Sequence, residues 1–236
     1  MPTGSSLARK AVKAAMLPGG IVTRRRAGDV VILLYHRVGG RGGEIDLPAG
    51  VFERQLAILV ERERVVTLDQ ALSGDGGGVV VTVDDGYRDF HDTVLPLLAR
   101  YRIPAVLYLA TGLVTVGAHT HGHTDLSRAS EQVCQDEMAR SKELIEDRLG
   151  VACRHFAYPW AVASPTADRV ARRLFDSAAL DAWRTNRAGA IDPWRLGRVP
   201  ILASDGLAFF RAKVQGRLDG EALAYRLLGR GPWGRA

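Results

Sequence analysis

The sequence predicts one α/β domain built on a parallel sheet. Apolar runs of strand length, typical of strands buried on both faces, alternate with segments of helical periodicity. This succession of strand, helix and strand favours parallel pairing of neighbouring strands. A length of 236 residues suits a single domain, since barrel-like α/β folds reach this size without dividing. We therefore expect about seven parallel strands that alternate with helices.

The first half of the chain contains the clearest strands. The runs at 30–35 and 79–83 are almost entirely apolar or β-branched, and a glycine-rich loop after the first run is predicted to be mobile. The predicted elements are, in order, a strand at 30–35, the loop at 39–50, a helix at 52–60, a strand at 64–68, a short helix at 69–72, a strand at 79–83 and a helix at 94–101.

Helix caps divide the second half. Ser130 is a typical N-cap and Gly150 a typical C-terminal stop, and together they bound a long helix. The predicted elements are, in order, a strand at 105–110, a loop at 112–127, a helix at 130–149, a strand at 155–158, a helix at 166–175, a strand at 198–202 and a helix at 207–218.

Paired carboxylates follow the strand at 79–83, in the sequence Asp84-Asp85-Gly86. Parallel α/β folds place their chemistry at the carboxyl ends of the strands, so this position favours a functional pair. The same sequence is also common in plain turns, because glycine tolerates the left-handed conformation. The residues alone leave both interpretations open.

Two histidines four residues apart, His119 and His123, lie in the predicted loop at 112–127. Both imidazoles can reach one ion, and zinc and related metals accept imidazole and carboxylate ligands. With Asp84 or Asp85 they would form an Asp-His-His set. Histidine clusters of this kind also occur by chance on surfaces, so a solvated cluster is the alternative. We expect His121, between them, to face solvent or to support a ligand rather than to bind the ion.

Three segments resemble the motifs of the polysaccharide deacetylases, the family built on the NodB homology domain and related to carbohydrate esterase family 4. Residues 82–86, Thr-Val-Asp-Asp-Gly, are similar to the first motif and residues 119–127 to the second. Residues 156–160, Phe-Ala-Tyr-Pro-Trp, are similar to the third. The resemblance covers about residues 30–215 in the right order. It implies a distorted (β/α) barrel of about seven parallel strands.

The resemblance also implies a metal-dependent hydrolase that removes an N-acetyl, or another small acyl group, from an amino sugar, a glycoside or a related soluble metabolite. Asp85, His119 and His123 would bind a divalent metal, with Zn²⁺ expected first and Co²⁺, Ni²⁺ or Mn²⁺ as alternatives. Asp84 would be the general base for the attacking water. The backbone N–H of Trp160 would stabilise the developing oxyanion.

The chain departs from the family at two supporting positions. Ala157 stands where many relatives have an arginine that supports the catalytic aspartate, and Arg198 is the candidate substitute. No histidine follows His155, whereas relatives usually place a general acid near the last strands. The candidates for this acid are His36, Asp205 and Asp84 itself.

These departures motivate a second hypothesis, in which a degenerate deacetylase fold binds a saccharide or metabolite without turnover. The segment before His119 is also shorter than in most relatives. Two of the candidate residues have structural alternatives as well. His36 could only cap the first strand, and Trp160 could only pack in the core.

The net charge of +6 is concentrated at the ends of the chain. Residues 1–28 contain six basic and no acidic side chains. We predict a flexible basic arm at 1–28, the barrel at 29–218 and a C-terminal tail at 219–236. Since residues 29–210 contain more acidic than basic side chains, we expect no nucleic-acid partner and no stable membrane insertion.

The sequence shows neither a secretion signal nor a transmembrane run, so a cytoplasmic location is expected. Cys134 and Cys153 are expected to be inert thiols rather than a disulfide. The sequence does not indicate an oligomeric state.

Overall fold

The strands form a barrel. The computed structural model describes residues 25–39, 42–74, 76–108, 115–181 and 183–217, so the predicted tail and all but the end of the predicted arm lie outside the described residues. The strands are β1 (Val30–Tyr35), β2 (Arg37–Val38), β3 (Asp46–Leu47), β4 (Gly78–Val83), β5 (Ala105–Leu107), β6 (Thr115–Ala118), β7 (His155–Ala157), β8 (Ser177–Asp181) and β9 (Leu196–Pro200).

Seven of these strands close the barrel in the order β1-β4-β5-β6-β7-β8-β9, and β9 returns to pair with β1. Every pairing in this ring is parallel. The short strands β2 and β3 pair with each other outside the ring. The predicted (β/α) barrel of about seven parallel strands is therefore confirmed.

Helices connect the strands around the outside. They are α1 (Ala49–Arg62), α2 (Leu68–Ser73), α3 (Leu95–Tyr101), α4 (Glu131–Leu149), α5 (Pro165–Leu174) and α6 (Leu207–Val214). A π-helical turn at Phe90–Val94 leads into α3. The predicted caps of α4 are present, because the Ser130 side chain accepts from the N–H of Val133 and Gly150 adopts the left-handed conformation. Among the described residues, no helix combines the length and the apolar character needed to cross a membrane.

Alternate residues of each strand point to opposite sides of the barrel wall. On β1, Val30 and Ile32 belong to the cluster inside the barrel, whereas Val31 and Leu33 pack outward against helices. On the same inward side, β4 continues from Val80 to Thr82 and then to Asp84. This alternation aims the residues that follow the strands into the mouth of the barrel.

Some predicted elements were wrong. Residues 64–68 are not a barrel strand, since they make only one isolated bridge, from Val65 to Val79. Part of the predicted loop at 112–127 is instead the strand β6, and β8 was not predicted at all. Both strands are rich in small residues and lack a long apolar run. They are strands because they pair with the neighbouring strands of the barrel. Helix α6 ends at Val214, before the predicted boundary at 218.

Cys134 and Cys153, which were predicted to be thiols rather than a disulfide, are free, and both are buried. Burial raises the pKa of the Cys153 thiol to about 11, so this side chain is protonated near neutral pH.

The glycine of β6 allows close packing inside the barrel. A Cβ atom at Gly117 would lie 2.4 Å from two ring carbons of Tyr108. We expect Gly117→Ala to lower the free energy of unfolding by about 1–3 kcal/mol, because the crowded ring must shift. Urea denaturation measures this loss, and Gly50→Ala is the control, since a Cβ there has no atom within 4 Å. Equal stabilities of the two variants would contradict the packing.

Candidate active site

The predicted site residues converge at the carboxyl end of the barrel. His36 follows β1, Asp84 and Asp85 follow β4, and His119 follows β6. Together they line one cleft of about 490 Å³. The residues that line it are Leu34, His36, Ile45, Asp84, Asp85, Tyr87, His119, Thr120, His121, His123, Tyr158, Trp160 and Arg198. Except for Asp205, one of the three candidates for the general acid, each residue predicted to take part in catalysis or metal binding is thus in this cleft.

Three of these residues could hold a metal ion. One ligand atom from each of Asp85, His119 and His123 lies within 4.8 Å of the others. The Nε2 atoms of both histidines are 3.5 Å from the same carboxylate oxygen of Asp85. Burial acts to raise the pKa of Asp85, but His119 and the neighbouring imidazoles outweigh it, so the pKa lies below its usual value. An ionised carboxylate and two imidazoles are a donor set that suits zinc and related metals.

The ring of His119 is oriented for such a role. Its Nδ1 lies 2.8 Å from the carbonyl oxygen of Ala157, and only a protonated Nδ1 can donate to that oxygen. In the neutral ring, Nε2 then has the free lone pair and faces Asp85. The ring of His123 packs edge to face against His119 and against Trp160, at centroid distances of 5.0 and 4.8 Å.

The other carboxylate of the pair has a different partner. Arg198 donates to both oxygens of Asp84, at 2.6 and 2.9 Å, and both side chains are almost fully buried. The guanidinium also lies 5.5 Å from the ring centre of Tyr108. Burial acts to raise the pKa of Asp84, but the charges of Arg198 and His119 outweigh it and the pKa is lowered. Asp84 is therefore ionised, and its orientation is fixed by two charge-assisted hydrogen bonds.

The position of Arg198 explains how the chain accommodates Ala157. Leu196 and Ala157 both belong to the cluster inside the barrel, and Arg198 follows Leu196 by two residues on β9. Since side chains alternate along a strand, Arg198 also points inward and reaches Asp84 from β9. The guanidinium next to Asp84 is thus supplied by the last strand, whereas Ala157 in the third motif has no side chain that could supply one.

We expect Arg198→Met to destabilise the protein by about 3–5 kcal/mol, because it leaves the buried carboxylate of Asp84 without its counter-charge. Urea denaturation followed by circular dichroism measures the loss. Arg195→Met is the matched control, since the Arg195 side chain is half exposed and its nearest carboxylate oxygen, on Asp168, is 3.9 Å away. That variant should lose about 1 kcal/mol or less. A similar loss of unfolding free energy in both variants would show that the buried pair of Arg198 and Asp84 does not contribute more to stability than an exposed ion pair.

The backbone of the site is strained. Among the described residues, six other than glycine have positive φ, and four of them are Asp85, Thr120, His123 and Trp160. Such conformations cost about 1–3 kcal/mol each and persist where the surrounding structure holds them. Their concentration at one cleft is typical of a functional site.

His36 and His121 occupy different positions in the cleft. Burial lowers the pKa of His36, and the charges of Asp84 and Asp85 only partly oppose this effect. The imidazole of His36 therefore favours its neutral form. His121 is exposed and, although it lines the cleft, does not belong to the ligand group of His119 and His123.

Asp205, an acid candidate from the sequence, lies elsewhere. It accepts a hydrogen bond from Lys213 at 2.8 Å and from the N–H of Leu202 at 2.9 Å, and it does not line the cleft. Both members of this ion pair are buried, so we interpret it as a structural contact that joins α6, through Lys213, to the segment after β9. Two cleft residues, Ile45 and Tyr87, were not singled out from the sequence. Ile45 lies in the β1–α1 loop, and nothing in the surrounding residues predicts that this loop returns to the cleft.

Comparisons with known proteins agree with the motifs. A sequence profile of the polysaccharide deacetylase family matches residues 109–175. The chain is 24% identical over 155 residues to YxkH of Bacillus subtilis (strain 168), whose name assigns it provisionally to the polysaccharide deacetylases. The match covers 54% of this chain and 55% of YxkH, so the chain spans about half the length of that relative.

Solved structures of deacetylases have the same fold. The Streptococcus pyogenes deacetylase PplD, solved in complex with acetate, superposes with a TM-score of 0.69 at 22% identity, over 79% of this chain and 98% of PplD. IcaB from Ammonifex degensii superposes with a TM-score of 0.68 at 24% identity, over 80% of this chain and 97% of IcaB. The resemblance to the polysaccharide deacetylases is thus confirmed.

Proposed function

We propose that this chain, with the motifs and the fold of the polysaccharide deacetylases, is a metal-dependent hydrolase. It removes an N-acetyl or another small acyl group from an amino sugar, a glycoside or a related soluble metabolite. One observation supports this function most strongly. An ionised and clamped aspartate, Asp84, lies directly beside the potential ligand group of Asp85, His119 and His123.

The ligand group fits a divalent metal by its chemistry and its orientation. Asp85 supplies an ionised oxygen, and the hydrogen bond of His119 to the carbonyl of Ala157 leaves Nε2 available. Zn²⁺ fits this set, and Co²⁺, Ni²⁺ or Mn²⁺ are alternatives. When bound, such an ion would polarise the acyl carbonyl and lower the pKa of water to about 7.

Different residues of this chain would then carry out the separate steps of the reaction. Asp84 takes a proton from the attacking water as the water oxygen bonds to the acyl carbon. The backbone N–H of Trp160 stabilises the negative charge that develops on the carbonyl oxygen. The bond from carbon to nitrogen then breaks, and the departing nitrogen receives the proton. The products are a carboxylic acid, which then loses its proton to water, and an amine.

His36 is our candidate for delivering that proton. It lines the cleft with Asp84, and its pKa responds to the charge of Asp84. Since the imidazole favours its neutral form, it can accept the proton from Asp84 and pass it to the nitrogen. In this proposal Arg198 keeps Asp84 in place throughout and exchanges no proton.

The test is a screen for acetate release from acetylated sugars and glycosides by protein loaded with zinc. We expect release that stops after chelation and returns when metal is added again. A metal-replete protein that releases no acyl group from any of these compounds would overturn the proposal.

The second candidate function is binding of a saccharide or metabolite without turnover. It is favoured by Ala157 in the third motif and by the lack of a histidine after His155. Calorimetry would then show ligand binding without product, and robust turnover would exclude it. The expected cytoplasmic location and the expected lack of a nucleic-acid partner stay predictions.

A further inference from the structure

An arginine next to the cleft has a charge that its neighbours balance only in part. Arg37 lies on β2, directly after the cleft residue His36. Its guanidinium carbon is 4.7 Å from the ring centre of Tyr87, which lines the cleft. Burial and the charge of Asp85 raise the pKa of Tyr87, and the charge of Arg37 opposes that rise. The charge of Arg37 therefore acts on a ring that borders the ligand group.

The side chain of Arg37 is weakly paired. Its Nε lies 3.9 Å from Oδ1 of Asp89, which is too long for a hydrogen bond, and this Nε is buried without a partner among the described residues. The other oxygen of Asp89 accepts from the backbone N–H of Val38 at 2.6 Å. The carboxylate of Asp89 is thus bound mainly to the backbone and leaves part of the guanidinium charge uncompensated.

An arginine that stacks on an aromatic ring can still bind an anion. The guanidinium packs on the ring through its flat face, whereas its N–H groups point outward in its own plane. These N–H groups match two oxygens of a carboxylate or a phosphate. Since 36% of the Arg37 side chain is exposed, such an anion can reach it from solvent. Arg198, in contrast, is buried and donates to both oxygens of Asp84.

The backbone holds Arg37 in place before a ligand binds. The N–H of Arg37 donates to the carbonyl of Ile45 at 3.2 Å, and Arg37 pairs with Asp46 between β2 and β3. The next residue, Val38, is fixed by its bond to Asp89. A side chain on such a fixed backbone loses less conformational freedom when it binds a ligand, which favours binding.

We propose that Arg37, stacked on Tyr87, binds an anionic substituent of the acylated substrate, either a carboxylate or a phosphate. This inference rests on the proposed function, and it narrows the substrate to an acylated sugar or glycoside that carries negative charge. The acyl group then lies at the ligand group, and the anionic substituent lies beside Tyr87. Arg37 determines specificity in this proposal and exchanges no proton.

The test compares acetylated sugars with and without an anionic group. Acetate release by zinc-loaded protein is measured for N-acetylglucosamine, which is neutral, for N-acetylmuramic acid, which adds a carboxylate, and for N-acetylglucosamine 6-phosphate. Binding is measured by calorimetry on the same proteins carrying Asp84→Asn, so that turnover does not interfere. The native protein should prefer at least one anionic compound by about 10- to 100-fold, as expected for charge-assisted hydrogen bonds.

Two substitutions of Arg37 assign this preference to its side chain. Arg37→Met should abolish the preference, because it removes the charge and keeps an unbranched side chain. Arg37→Lys should retain part of it, since lysine keeps the charge but lacks the fork of N–H groups. The preference is a ratio within one variant, so a general loss of folded protein cancels.

Arg100→Met is the matched control. Arg100 is exposed and lies 5.9 Å from the ring centre of Tyr101, but it donates to Glu53 at 2.9 Å, and neither Arg100 nor Tyr101 lines the cleft. This variant removes the same charge and should leave the preference unchanged.

The outcomes separate the anion site from the proposed function. Acetate release without a preference for either anionic compound, or with a preference that Arg37→Met leaves unchanged or Arg100→Met also removes, overturns the anion site alone. Binding of an anionic compound that requires Arg37 but yields no acetate overturns the proposed function and supports the anion site. Protein that neither binds nor hydrolyses any of these compounds overturns both.

Discussion

Replacing Asp84 by asparagine is expected to slow acyl release by about 10²- to 10⁴-fold while leaving the metal bound. The amide of asparagine has nearly the same shape as the carboxylate but cannot accept the proton of the attacking water. The ligand group of Asp85, His119 and His123 is unchanged in this variant, so the metal should remain. Steady-state rates and elemental analysis of the same sample measure the two effects.

Asp92→Asn is the matched control for this variant. Asp92 belongs to the same segment of chain, but its side chain is half exposed and pairs with Arg88 and His91 outside the cleft. Its replacement should leave the rate within about twofold of the native protein, since exposed ion pairs contribute about 0–1 kcal/mol. If Asp84→Asn retained a native rate, or if Asp92→Asn lost as much, Asp84 would not be the base.

Replacing His119 by alanine should remove the metal from the protein. His119 is the buried member of the ligand group, and the bond of its Nδ1 to the carbonyl of Ala157 fixes the ring with Nε2 towards Asp85. The fall in metal affinity should exceed the roughly 10- to 100-fold loss that is typical when only a supporting partner is removed. Elemental analysis after dialysis, together with a zinc titration, measures the change.

His121→Ala tests whether this effect is specific. His121 lies two residues away in the same segment and lines the same cleft, but it is exposed and outside the ligand group. This variant should keep its metal. Loss of metal from both variants would mean that the segment as a whole, rather than the ligand group, determines binding.

The two strands with long apolar runs, β1 and β4, were predicted from the sequence to within one residue at each end. β1 and β4 are buried on both faces, and this burial leaves a clear signal of consecutive apolar residues. β6 and β8 are built largely from threonine, serine, alanine and glycine, and their pairing with neighbouring strands defines them. Their identity depends on long-range contacts, which a local pattern does not contain.

The candidate metal ligands could be predicted because they lie close together in two motifs. Asp85 lies just after a strand that a long apolar run predicts clearly. His119 and His123 are four residues apart, a spacing at which both imidazoles can reach one ion. The assignment of Arg198 to Asp84 also came from the sequence, through the alanine at 157. Its geometry could not be predicted, because the two residues are 114 positions apart and only closure of the barrel by β9 against β1 brings them together.

The position of Ile45 at the cleft could not be predicted from the sequence for the same reason. The loop at 39–50 has the glycine content of a mobile connection. The bond from the N–H of Ala203 to the carbonyl of Glu44, next to Ile45, joins this loop to the segment after β9 and depends on the pairing of β1 with β9.

X-ray absorption spectroscopy of the zinc-loaded protein tests the central claim most directly. We predict one zinc per chain, bound by two imidazole nitrogens at about 2.0–2.1 Å and by a carboxylate oxygen, with one imidazole lost in His119→Ala if zinc is added in excess. Zinc that binds through a cysteine sulfur, or a spectrum that His119→Ala leaves unchanged, would contradict it.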